Sequence, residues 1–171
     1  RAPYVMGKAD TPFARNQQIE DTTIGWRFPN PKLHAEFGTH SMPQTADNVA
    51  ADYSISREDQ DAFAARSQAR WAVAHEAGIF ADEIVPVVIP QRKGDPIVVD
   101  TDEHPRPGTT PAQLAKLRGV NGADLSVTAG NASGVNDGAA GMIVASEASA
   151  VANGLTPKAR VVAMAAAGVE P

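Results

Sequence analysis

Val127-Thr128-Ala129-Gly130-Asn131-Ala132-Ser133-Gly134-Val135-Asn136-Asp137-Gly138-Ala139-Ala140 is the stretch on which the reading of the fold turns. It starts at an apolar run and continues into Gly141-Met142-Ile143-Val144-Ala145-Ser146, so that Ala, Gly, Ser and Val dominate from Leu125 onward. Side chains this small let a backbone approach another backbone or a ligand closely. The pattern predicts a strand, a tight loop and a second strand. A helix from Glu147 to Asn153 with Gly154 after its end follows, and Ala159 to Ala165 reads as one more buried strand. The order β-loop-β-α-β belongs to a layered α/β core. A glycine-rich loop also suggests phosphate binding, but neither G-x-x-x-x-G-K-[ST] nor G-x-G-x-x-G stands in a strand-to-helix context. Ala132-Ser133-Gly134 lacks the G-x-S-x-G pattern of a serine hydrolase. Both chemistries are set aside.

Towards the N-terminus the character changes. Pro111 opens a short helix reaching about Leu117, and a turn with Asn121 and Gly122 leads into the small-residue stretch. Asp100 to Pro111 is polar and rich in proline, hence loop. Glu83 to Ile89 and Pro96 to Val99 carry β-branched residues around the turn Arg92-Lys93-Gly94-Asp95, which predicts a two-stranded antiparallel arm. Ser56 caps a long helix with Arg57, Glu58 and Asp59 in its first turn and Gly78 past its end. Phe63, Ser67, Trp71 and Ala74 recur on it at helical spacing and are expected to pack inward, with Arg66, Arg70 and Glu76 facing out. A shorter helix is expected from Pro43 to Tyr53. Before it, Pro3, Pro12, Pro29 and Pro31 predict extended loop with short helical turns, and Ile24, Trp26 and Phe28 form a candidate contact surface.

The 171 residues suffice for a domain with a real core. A hydrophobic content of 43%, 20% charged residues and a mean hydropathy of -0.24 fit an ordinary globular protein. No apolar run approaches the ~18 residues that span a bilayer, and no signal pattern opens the chain, so a cytoplasmic address is expected. A net charge of -5 with scattered Lys and Arg argues against nucleic acid as partner. The absence of cysteine excludes disulfides, thiolate metal sites and a thiol nucleophile within these residues. Arg1 in place of Met, and an end just after the apolar run, are expected of an internal piece of a longer protein.

Other candidate groups carry less. His75-Glu76 starts like a zincin motif, but Ile79 stands where the second histidine belongs, so no metal site is expected. His34, His40 and His104 fall in loops without fixed spacing, and Asp100, Asp102 and Glu103 read as solvated charge. Arg106, between Pro105 and Pro107, sits on a stiff backbone suited to presenting a guanidinium to a phosphate or a purine ring.

Taken together, Val127 to Ala140 resembles the signature that closes the N-terminal half of thiolases. Thr45 to Val49 (TADNV), Ser56 to Phe63 (SREDQDAF), Glu83-Ile84-Val85-Pro86 and Lys116-Leu117-Arg118 resemble the family's loop domain in the expected order. Asp21 to Phe28 (DTTIGWRF), Trp71 and Lys93 to Pro107 (KGDPIVVDTDEHPRP) are most similar to thiolases of the 3-oxoadipyl-CoA type. The resemblance covers essentially the whole chain. It implies an α/β, thiolase-like condensing-enzyme fold in part: a loop domain with an oligomerisation segment over 1–124, the end of the N-terminal domain over 125–157, and the first strand of the C-terminal domain over 158–171.

The resemblance further implies coenzyme A and acyl-CoA as substrates, with no cofactor, and a homotetramer in which Ile24 to Phe28 fall at the tetramer-forming loop. Carried over by motif, Ser133 matches the serine that bonds the pantetheine, Ala129 lies along the same groove, and Arg106 matches the arginine near the adenine and phosphates. Leu33 and Met42 match apolar positions around the pantetheine or acyl pocket. The family's two reactive cysteines, its Gly-His-Pro histidine and its Asn-Glu-Ala-Phe asparagine have no counterpart here. No catalytic residue is therefore expected in this chain, and the isolated chain is expected to be inactive.

Ser41, where many acetoacetyl-CoA thiolases have histidine before Met42, and Gln113, where some relatives have serine, depart from the acetoacetyl-CoA pattern. The function implied is cleavage of 3-oxoadipyl-CoA with coenzyme A to succinyl-CoA and acetyl-CoA in aromatic-compound breakdown. The alternatives are an acetyl-CoA C-acetyltransferase acting on acetoacetyl-CoA and a non-catalytic coenzyme A-binding or oligomerisation module.

Overall fold

The computed structural model describes residues 3–9 and 11–169. Arg1 and the last two positions of the expected final segment lie outside the described residues. The chain groups into two units, Arg1–Val135 and Asn136–Pro171.

In the first unit, β1 (Tyr4–Met6) pairs antiparallel with β2 (Ile19–Asp21), Val5 opposite Glu20, and Thr22 bonds back to the carbonyl of Pro3 through its amide and its hydroxyl. Helix α1 (Pro31–Phe37) follows, its amide ends satisfied by the Asn30 side chain accepting from the amide of Lys32. The proline-based expectation of irregular chain up to Pro43 thus missed a hairpin and a helix. Proline at the first helical position starts a helix as readily as it breaks one, because its missing N–H has no partner there in any case.

The other helices start at the capping residues the sequence offers. Helix α2 (Met42–Asp52) opens on a capping box between Ser41 and Gln44, and α3 (Arg57–Glu76) on Ser56, whose hydroxyl accepts from the amide of Asp59. Glu58 and Asp59 face the positive end of the α3 dipole. Gly78, at φ +70, turns the chain away after the helix. Strands β3 (Val87–Ile89) and β4 (Ile97–Val99) form the expected arm, Val88 opposite Val98. Helix α4 (Pro111–Leu114) carries a second capping box, Thr110 with Gln113, and packs on α3.

The expected inward face of α3 is corrected. On α3 the buried residues are Asp61 and Ala65, whereas Phe63 is 62% exposed and Ser67 is exposed as well. Polar contacts choose the inner face: Arg57 donates to the Asp61 carboxylate and to the carbonyls of Leu114 and Leu117 at 2.8–2.9 Å. Phe63 instead lies under the Arg66 guanidinium, 5.0 Å from the ring centre.

In the second unit, α5 (Glu147–Ala152) forms behind the Ser146 cap with Ala150 buried. The strands expected on either side of it are not formed among the described residues, where Val144 is 82% and Val162 is 90% exposed. A strand is stable only when a neighbour takes its amide and carbonyl groups. No described strand lies beside these segments. Likewise, the expected strand at Val127 reduces to a single bridge between Gly119 and Thr128.

Candidate functional site

Two buried carboxylates organise the small-residue stretch. Asp47, on α2, accepts through one oxygen from the amides of Ser126 (3.1 Å) and Val127 (3.0 Å) and from the Ser126 hydroxyl. Its other oxygen accepts from the Asn121 side-chain amide at 2.7 Å. Burial pushes the Asp47 carboxyl upward. The hydrogen bonds from Asn121, from the amides of Val127 and Ser126 and from the Ser126 hydroxyl together outweigh it, and the group lies below its ordinary value of 3.8.

Asp61, on α3 and 2% exposed, accepts from Arg57 at 2.8 Å and from the Asn131 amide at 3.0 Å. Asn131 completes the knot, accepting from the Thr128 amide at 2.7 Å and donating to the Ser126 carbonyl at 3.0 Å. Thr128 is fully buried, and its hydroxyl accepts from the amides of Gly130 and Asn131. Among the described residues no buried side-chain nitrogen or oxygen is left without a partner.

Gly130 lets two leucine side chains close onto the turn. A Cβ there would lie 2.5 Å from side-chain carbons of both Leu114 and Leu117, inside van der Waals contact. Segment 126–132 is therefore clamped from α2, α3 and α4 together. The amides of Ser126, Val127, Thr128, Gly130, Asn131 and Ala132 are spent on internal partners.

The clamp presents two of the five expected site residues. Ala129 and Ser133 lie at the turn and just after it, both exposed, and among the described residues the Ser133 hydroxyl has no partner. Arg106 sits in the loop between β4 and α4. Its amide donates to the Gln68 side chain of α3 at 2.7 Å, and its guanidinium is exposed and donates to the carbonyls of Glu103, His104 and Pro105. Leu33 lies on α1, and Met42 is the first residue of α2, 76% exposed. All five belong to the first unit, but among the described residues no hydrogen bond joins any two of them.

Three of the candidate histidines have local partners. His34 shares a 2.9 Å hydrogen bond with Thr39, His40 one of 3.4 Å with Asn48, and His75 stacks on Trp71 with ring centres 4.7 Å apart. Trp26 donates to the carbonyl of His40 at 3.2 Å while its ring stays 56% exposed. Asp47, Asp61, Gln68 and Asn131 were not singled out by role from the sequence. The one legible signal was the i,i+4 spacing of Arg57 and Asp61, which places opposite charges on one helix face.

The family described as "Thiolase, N-terminal domain" matches residues 6–148. The chain is 64% identical over all 171 residues to a protein of Pseudomonas aeruginosa named beta-ketoadipyl-CoA thiolase, of which it covers 42%. It is 60% identical, again over 171 residues, to an Escherichia coli protein named 3-oxoadipyl-CoA/3-oxo-5,6-dehydrosuberyl-CoA thiolase, covering 43% of it. Among solved structures, human mitochondrial 3-ketoacyl-CoA thiolase in complex with CoA matches at a TM-score of 0.70 and 37% identity, over 91% of this chain and 37% of that one. The chain thus spans less than half the length of the relatives it matches.

Proposed function

The chain belongs to the thiolase family, its fold being part of the thiolase fold, and from that premise we propose that the protein cleaves 3-oxoadipyl-CoA with coenzyme A to succinyl-CoA and acetyl-CoA. The observation that supports this substrate is the 58–64% identity, over all 171 residues, to proteins named beta-ketoadipyl-CoA thiolase. The part we assign to these residues is binding. Thiolysis forms a covalent thioester on a thiolate, and this chain contains no cysteine.

In this reading the rigid clamp under segment 126–132 does its work without touching the reacting atoms. It fixes the backbone that carries Ala129 and Ser133, so that a thin pantetheine arm meets small side chains and a hydroxyl free to satisfy one of its amides. The Arg106 guanidinium offers donors in a planar fork to the phosphates or to the purine face. Its backbone, held by Gln68 and flanked by two prolines, loses little entropy on binding. Leu33 and Met42 supply apolar surface for the pantetheine or acyl group. We further propose a cytoplasmic homotetramer, with the exposed Ile24, Trp26 and Phe28 as contact surface. No described helix is long and apolar enough to cross a membrane.

The test is steady-state thiolysis by the protein that carries this chain, comparing 3-oxoadipyl-CoA with acetoacetyl-CoA. The reading predicts a kcat/KM at least about tenfold higher for 3-oxoadipyl-CoA, a difference of ~1.4 kcal/mol in transition-state binding. A preference for acetoacetyl-CoA would replace it with the acetyltransferase reading.

A further inference from the structure

The Asp47 clamp contains a chemically labile link. An asparagine followed by glycine can close on itself: the backbone nitrogen of the glycine attacks the side-chain Cγ, a C–N bond forms, and ammonia leaves. Water then opens the resulting succinimide to aspartate or isoaspartate, so that the net change is one water consumed and one ammonia released. Glycine favours the step because no Cβ obstructs the approach.

The chain has two such pairs, Asn121-Gly122 and Asn153-Gly154, and their surroundings differ. The amide of Gly154 donates to the carbonyl of Val151 at 3.1 Å, and its φ of +65 belongs to the end of α5, so the nucleophile is engaged. The Asn153 side chain is tied to the Ser149 carbonyl at 2.8 Å. Gly122 is exposed, and among the described residues its amide has no acceptor. Only the outer nitrogen of Asn121 is held, by Asp47 at 2.7 Å.

We infer that Asn121 is a self-modification site whose deamidation opens the clamp beneath Ala129 and Ser133. The product replaces a donor with a carboxylate facing the Asp47 carboxylate, so an attraction becomes a like-charge contact in a part-buried setting. Asp47 then gives up either its charge or its position. Both outcomes weaken its hold on the amides of Ser126 and Val127.

The experiment incubates the native protein in warm, mildly alkaline buffer and follows each site by peptide mapping, reading the mass gain of about 1 Da that deamidation brings. Modification at Asn121 is expected to run about fivefold or more ahead of Asn153, because Gly154 must first break a hydrogen bond, and the two rates should converge when the protein is unfolded. Gly122→Ala should suppress the reaction at Asn121 alone; its Cβ meets only the Leu125 side chain, at 3.6 and 3.8 Å, so the fold tolerates it. In the modified protein, hydrogen exchange at Ser126 and Val127 should accelerate. Equal native rates, a faster Asn153, or modification at Asn121 with unchanged exchange at both amides would each overturn the inference.

Discussion

Asp47 concentrates the cost of holding the signature stretch in one side chain. Both of its oxygens face donors, so Asp47→Asn turns an amide N–H towards either Asn121 or the amides of Ser126 and Val127. A buried donor left without an acceptor costs about 1–3 kcal/mol, and the variant should lose that much in chemical denaturation. The pH dependence follows from the direction of the shift. The folded carboxyl lies below its ordinary value of 3.8, so the folded state binds this proton less readily than the unfolded chain. Its stabilisation is complete above the unfolded value and is lost as pH falls through the lower, folded value. Asp47→Asn should remove that part of the acid sensitivity, and denaturation curves at about pH 7 and about pH 3, on either side of the ordinary carboxyl range, would measure the difference. None of this was legible in the sequence, because the donors stand 74 to 80 positions away and Asp47 looks like any polar residue of a short helix.

At the scale of elements, legibility followed how local the determining contacts are. Ser56 located the start of α3 because it satisfies an amide three residues on, and the starts read at Pro43, Pro111 and Glu147 fell within a residue of those formed, behind the caps Ser41, Thr110 and Ser146 that the structure adds. The β3–β4 arm was legible for a similar reason, its two strands being separated only by a short turn. Strands that need distant neighbours were not formed, and the inward face of α3 was misjudged because Arg57 and Asp61 outweigh a weak apolar stripe. Gly130 links helix α4 to the signature stretch, and its glycine character was read as closeness without a partner being named. Gly130→Ala should cost about 1–3 kcal/mol, as overpacking does, since the new methyl meets Leu114 and Leu117 at 2.5 Å. Thermal unfolding would show it, and a companion Leu117→Ala change should recover part of the loss by making room.

At the scale of the molecule, the described residues bury little apolar surface: Ala150 is the buried hydrophobic residue of the second unit, and in the first unit Ala65, Leu114 and Val127 are buried along with Thr22, Asp47, Asp61 and Thr128. Hydrogen bonding within this polar core, more than area, holds the first unit's loops in register. The arm is exposed along both strands, with Val87 at 59% and Val98 at 51%, an arrangement that two strands alone sustain poorly in water. Of the site, Arg106, Ala129, Ser133, Leu33 and Met42 came from motif resemblance, whereas the clamp that orders Ala129 and Ser133 came from the structure. The central claim is that these distant segments form one coenzyme A-binding groove. Calorimetric titration of coenzyme A into the protein that carries this chain, with and without Arg106→Ala, tests it most directly. The account predicts binding weakened about tenfold or more, the scale of a lost charge-assisted contact, with an unchanged unfolding temperature. An affinity that does not move would contradict it.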